Sequence, residues 1–161
     1  MKKSLIYAAI FTLTTALLIP TNYAIAHDDN ASFPHIDGNS DFPPTHWERV
    51  RHTFRIHIPQ KSKAVSHLII QLPNVVNVSE NNEIEIIGNK GQKINTNVSV
   101  NDKTILIAFP ETVAPNTNLE INIKNLKRPT GGNGPVYWFS VKFIDSDTEI
   151  PIGAARFRMN L

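Results

Sequence analysis

The sequence predicts an all-β domain, a two-sheet immunoglobulin-like sandwich of about seven to eight antiparallel strands, preceded by a cleaved signal helix and a polar leader. Three observations predict it. The first 26 residues are laid out as a secretory signal. From residue 51 onward apolar residues recur with a period of two. Pro, Gly and Asn cluster in the breaks between those apolar runs.

Residues 1–26 open with Met1-Lys2-Lys3, continue as an apolar run from Leu5 to Ile19, and end in Ala24-Ile25-Ala26. A basic start, a short apolar run and small residues at the −3 and −1 positions predict cleavage between Ala26 and His27. The run falls short of the roughly 20 residues that span a bilayer, and no later stretch approaches that length. The expected mature form therefore has no membrane span and is periplasmic or extracellular. The chain has no Cys, which excludes a lipidated Cys, disulfide staples and thiolate metal ligands. Stability then depends on a packed core. Lys2 and Lys3 are two of the 16 Lys and Arg, so the remainder equals the 14 Asp and Glu. A neutral mature chain argues against nucleic acid and anionic membrane as partners.

Residues 27–50 are rich in Asp, Asn, Pro, Gly and Ser and show no periodicity. This composition predicts a flexible leader or a draped arm, pinned by Phe33, Phe42 and Trp47. The domain proper is expected over 51–161. Its strands follow in order. Phe54, Ile56 and Ile58 alternate with Thr53, Arg55 and His57, and Leu68, Ile70 and Leu72 with His67, Ile69 and Gln71. Ile84 and Ile86 mark a short strand, and Ile94, Val98 and Val100 a more polar one. Ile105, Ile107 and Phe109 come next, then Leu119, Ile121 and Ile123, the cleanest alternation. Tyr137, Phe139, Val141 and Phe143 face opposite to Trp138, and Ala155, Phe157 and Met159 close the series. Phe54, Ile56, Ile70, Ile107, Ile121, Phe139 and Phe157 are the expected core. Pro59, Pro73, Pro110, Pro129 and Pro151 are placed at strand ends, where a missing N–H costs least. Asn101-Asp102 is expected to be a two-residue hairpin turn.

A string of segments in fixed order carries a resemblance. It runs from His52 to Pro59, Leu68 to Pro73, Ile105 to Phe109, Val113 to Ile121 and Pro151 to Arg158. Each alone is a generic strand. The Pro-x-Thr-x-Leu-x-Ile piece from Pro115 and the Ile-Gly-x-x-Arg-Phe-Arg piece from Ile152 supply the specificity. Together they resemble the secreted, chiefly cyanobacterial family grouped as domain of unknown function 2808, over about 51–161. Where that family usually has Gly, this chain has Asn116, which also tolerates left-handed backbone. The resemblance implies export and a β-rich domain, and it carries no activity, ligand or active residues.

Candidate chemistry is sparse. All six His lie between 27 and 67. His27, His35 and His46 are metal candidates, with Asp residues nearby. His27 would become the mature N-terminus, where its amine and ring nitrogen together chelate Cu(II), so copper is the one cofactor considered. Arg51, Arg55 and His57 form a basic stripe on one strand face, suited to an acidic polysaccharide, with Arg156 and Arg158 able to join it. The plainer reading is a solvated face that discourages edge pairing. Trp138 follows a Gly-rich loop and is a candidate for sugar stacking or a partner contact. No Gly-x-Ser-x-Gly elbow or His-Glu-x-x-His motif is present. The expected function is a non-catalytic binding or structural module of the envelope or periplasm, whose partner is an envelope protein or a surface glycan. The alternatives are a copper binder through His27 and a small enzyme acting on cell-surface glycans.

Overall fold

Strands that alternate apolar and polar residues bury one face each, so they must pair into sheets that meet face to face. The computed structural model describes residues 31–44, 47–79, 82–129 and 133–158. Its strands are β1 (His35–Phe42), β2 (Arg49–Ile58), β3 (Val65–Gln71), β4 (Ile84–Ile87), β5 (Asn97–Asn101), β6 (Thr104–Val113), β7 (Thr117–Lys127), β8 (Val136–Phe143) and β9 (Ile150–Arg156). They form a four-stranded sheet ordered β1-β2-β7-β4 and a five-stranded sheet ordered β5-β6-β3-β8-β9, with antiparallel neighbours throughout. This is the predicted two-sheet sandwich. No helix among the described residues is long and apolar enough to cross a membrane.

The core lies between the sheets and contains the expected residues. Phe54, Ile56 and Ile121 come from one sheet, and Ile70, Ile107 and Phe139 from the other. Phe157, the most exposed of the seven, is only 5% accessible. Phe54 sits edge-on to Tyr137, Phe139 and Phe157, with ring centroids 4.8, 5.0 and 5.5 Å away. Such edge-to-face packing adds about 0.5–1.5 kcal/mol per pair to burial.

Three expectations need correction. Part of the stretch expected to be a flexible leader is strand β1, laddered to β2 from His35 opposite His57 to Phe42 opposite Arg51. An edge strand is held by its backbone ladder and needs little apolar surface, so its composition hides it. Ile36 alone supplies apolar packing, while Asn39 donates to the Arg156 carbonyl at 3.0 Å and Asp41 meets Arg128 at 3.2 Å. Phe33, Phe42 and Trp47 are all largely exposed and contribute little to holding this segment, although the Phe33 ring lies 6.5 Å from that of Phe143. The hairpin turn is Asp102-Lys103, one residue later than expected, with Asp102 in left-handed backbone at φ 49°. Pro110 and Pro151 lie inside β6 and β9 and not at their ends. Each falls at a register irregularity, Pro110 between Ala108 and Val113 and Pro151 opposite the Phe139/Ser140 shift, so neither removes a needed ladder donor. The expected left-handed backbone at Asn116 is present, at φ 59°.

The edges of the two sheets meet differently on the two sides. On one side β1 lies beside β9, joined by the Asn39–Arg156 bond and by Ile36, whose Cδ1 is 3.6 Å from the point where a Gly153 Cβ would sit. On the other side the chain folds back over β4. Gly88 donates to the Gln92 carbonyl and Ile94 to the Ile86 carbonyl, each at 2.9 Å, and Lys93 bridges to Ile87. The neighbouring edge strand β5 has only β6 as a backbone partner among the described residues.

Candidate functional site

Period-two alternation gives each sheet an outer face, and cross-strand register decides which side chains meet there. On the four-stranded sheet the rows are complementary. Thr53 stands opposite Asn122, Arg55 opposite Glu120 and His57 opposite Asn118. Thr53 Oγ1 donates to Asn122 Oδ1 at 2.6 Å, and Asn122 Nδ2 donates to Glu120 Oε1 at 3.1 Å. Arg55 Nε lies 3.7 Å from Glu120 Oε2. Further along, Lys124 reaches Glu83 at 3.1 Å and Glu85 at 3.0 Å. The Lys124 ammonium holds the Glu85 carboxyl below its ordinary range, and hydrogen bonds to Glu85 and Glu83 hold Lys124 above its own. This face satisfies itself.

The five-stranded sheet presents a different outer face. One row runs Asn101, Thr104, Gln71, Trp138, Ala154 across five strands. The next runs Ser99, Leu106, Ile69, Ser140, and a third runs Asn97, Ala108, His67, Lys142. No Asp or Glu stands in these rows, and Lys142 is their one fixed charge. Trp138 is 60% exposed and Leu106 is also exposed, while Ile69 between Leu106 and Ser140 is 6% exposed. Among the described residues no side-chain hydrogen bond engages Asn101, Thr104, Gln71, Ser99 or Ser140. The result is a platform without carboxylates in these rows, with one projecting indole and a surround of amides and hydroxyls that have no side-chain partner among the described residues.

The structure separates the predicted site residues. Trp138 is exposed as a contact residue must be. Arg55 is exposed but faces Glu120 on the other sheet. His57 does not present a basic surface. It is 3% exposed and bonded through Nδ1 to Asn118 Oδ1 at 2.6 Å, because neighbours on β1 and β7 cover it. Arg51 lies over the Phe42 ring at 5.6 Å, so the predicted basic stripe is dispersed. Arg156 belongs to the other sheet, at the far edge of the Trp138 face. His35 pairs with Asp37 at 3.1 Å, its ring 5.4 Å from that of His57. His27, His46 and the cleavage site at Ala26 lie outside the described residues. Among the described residues no three His, Asp or Glu converge as a metal-binding group.

The sequence profile of the family described as protein of unknown function, DUF2808, matches residues 37–155. The chain belongs to this family. The matched span begins within β1 and ends within β9, so it reaches into every strand of the sandwich, including most of the edge strand hidden in the polar leader. No curated protein matches the chain by sequence. Among solved structures, the N-terminal domain of the Streptococcus gordonii adhesin Sgo0707 is 11% identical with a TM-score of 0.53, covering 80% of this chain and 32% of that one. The RrgA Jo.In complex is 7% identical with a TM-score of 0.51, covering 76% and 78%. The collagen-binding domain of a Staphylococcus aureus adhesin is 14% identical with a TM-score of 0.45, covering 79% and 96%. At these identities the likeness to the first two is one of fold.

Sequence reasoning missed two sets of residues. The companions of Trp138 in its row, Gln71 beside it and Thr104 one strand beyond, come from other strands, and only the register reveals them. His52 was the other omission. It is buried between the sheets, hydrogen-bonded through Nδ1 to the Tyr137 hydroxyl at 2.7 Å and stacked on Phe157 at 4.0 Å. Burial pulls its pKa down to about 4, opposed by nearby Asp41, and burial also pushes the Tyr137 phenol up. Its even number, shared with Phe54 and Ile56, was the available signal.

Proposed function

We propose that the chain is an exported, non-catalytic binding module of the cell envelope or surface, and that it holds a neutral glycan on the outer face of its five-stranded sheet. The observation that supports this reading is the exposed Trp138 among rows that hold no Asp or Glu and whose amides and hydroxyls are unengaged by side chains of the described residues. An indole presents a flat apolar ring to the C–H face of a sugar. Gln71 and Thr104, in the same row, supply the donors and acceptors that fix a hydroxylated ring in place. The signal-like residues 1–26 support export.

The test is binding to an array of neutral and acidic polysaccharides, with Trp138→Ala beside the unaltered protein. A contact residue of this kind is worth about 2 kcal/mol, so binding to the neutral glycan should fall roughly 30-fold. It should also hold steady as salt rises, because no ion pair is involved. Unchanged binding by Trp138→Ala would sink the reading. Binding only to acidic glycans, abolished by salt and by Arg55→Ala, would move the site to the other sheet.

A further inference from the structure

Three of the four sheet edges are closed against further strands. β1 carries a bulge between Ile36 and Gly38 and the charges of Asp37 and Asp41. β9 carries Pro151, Gly153 and a register shift. β4 is covered by residues 92–94. Bulges, prolines, charges and covering loops are the ordinary means by which proteins block edge pairing. Among the described residues β5 has none of them. Its sequence, Asn97-Val98-Ser99-Val100-Asn101, holds no charge and no Pro, and it is exposed along nearly its whole length.

That sequence is also a palindrome centred on Ser99. We propose that β5 is a self-recognition edge, at which two copies of the chain pair antiparallel about a two-fold axis through Ser99. In this register Asn97 faces the second copy's Asn101, Val98 faces its Val100, and Ser99 faces itself, so the contact is the same on both partners. The hydrogen-bond pattern agrees. The Asp102-Lys103 hairpin closes on the Asn101–Thr104 pair, and alternation from there turns the N–H and C=O of Val98 and Val100 toward the open edge. Those are the groups that must exchange when Val98 meets Val100 of the second copy.

The space beside the edge fits as well. A groove of about 470 Å³ lies between β5 and β4, lined by Ser79, Asn82, Ile84, Val98, Ser99 and Val100. A strand added to β5 lays its inward residues, the second copy's two valines, over Ile84 and the first copy's own valines. Beyond the strand, Asp102 comes opposite Thr96 and Lys103 opposite Asn95, so no like charges meet. The two five-stranded sheets become one, with both Trp138 faces on the same side. Seven strand spacings of about 4.8 Å, roughly 34 Å, separate the two indoles across the sheet, and a four-residue offset sets them further apart along it. Pairing does not depend on what Trp138 binds. If Trp138 does hold a glycan, two sites on one rigid sheet bind a polymer with avidity.

The experiment uses the full chain and its lack of native Cys. Ser99 pairs with itself as a non-hydrogen-bonded pair, with Cα atoms about 4.5 Å apart, which a disulfide can bridge. Under mild air oxidation Ser99→Cys should form a covalent dimer quickly and nearly completely. Asn97→Cys and Asn101→Cys, each facing the other position, should not, whereas the double Asn97→Cys/Asn101→Cys chain should. In sedimentation, the unaltered protein should approach twice the single-chain mass as concentration rises. Ser99→Lys, which sets two ammonium groups face to face on an exposed site, should stay at one chain and should melt like the unaltered protein at dilutions where that too is a single chain. Equal cross-linking rates at 97, 99 and 101, or a single-chain mass for the unaltered protein at every concentration, would overturn self-pairing and leave the edge to a strand from a different protein.

Discussion

The two outer faces of the sandwich are both polar, yet they use their polar groups in opposite ways. On the four-stranded sheet Thr53, Asn122, Glu120 and Arg55 form a connected chain of contacts, and Lys124 is shared between two carboxylates. On the five-stranded sheet the amides and hydroxyls around Trp138 have no side-chain partners among the described residues. Polarity therefore does not mark a binding surface. A face that has already spent its donors and acceptors on itself must break those bonds to accept a ligand, whereas a face that has not exchanges only water. The same reasoning explains why the predicted basic stripe fails as a site: register gave Arg55 and His57 complementary neighbours on β7.

The largest expected effect separates inside from outside within one strand. Phe139 and Trp138 are adjacent on β8, one 1% and the other 60% exposed. Phe139→Ala should lower unfolding free energy by about 3–5 kcal/mol. Trp138→Ala should change it by less than about 0.5 kcal/mol, the usual range for a surface site. Denaturant titration of the two variants measures both. A large loss for Trp138→Ala would mean that the indole is a packing residue, and the platform reading would lose its central observation.

Acid should next expose the imidazole of His52, which among the described residues is the one enclosed between the sheets. His52 has a folded pKa near 4 against an ordinary 6.5, so below 6.5 the unfolded chain binds the proton that the folded chain excludes. Its contribution is complete above pH 6.5 and is lost as pH falls from 6.5 to about 4, amounting to roughly 3 kcal/mol. Asp41, which favours the charged ring, and Arg128, which opposes it, flank the group. His52→Phe should flatten stability across that window, as read from denaturant midpoints at successive pH values. An unaltered acid slope in the variant would assign the loss to other groups.

How much of this was legible in the sequence varied with the kind of information involved. Alternation located the inward residues because parity is a local property: Phe54, Ile121 and Phe139 follow from spacing alone. β1 escaped because an edge strand is held mainly by backbone bonds, and its His-Ile-Asp-Gly-Asn-Ser-Asp-Phe sequence has one inward apolar residue. Trp138 was legible as outward-facing, but its setting was not. Whether Gln71 lies beside it depends on the register of β3 against β8, which bulges such as that at Val65/His67 can shift by one residue. The fates of His57 and Arg55 depended in the same way on β7. Burial direction is written along a strand, and surface chemistry is written across strands.

The smallest expected effect tests whether the four-stranded face is truly self-satisfied. Asn122 is buried, accepts from the buried Thr53 hydroxyl and donates to Glu120. Asn122→Ala leaves that hydroxyl without its acceptor and should cost about 1–3 kcal/mol. Removing both polar groups, with Thr53→Val and Asn122→Leu together, strands no hydroxyl and should recover most of that loss. A double-mutant cycle in denaturant isolates the coupling between the two positions. A cycle that closes additively would show the Thr53–Asn122 bond to be exchangeable with water, and the four-stranded face would then be as open to a ligand as the one that carries Trp138.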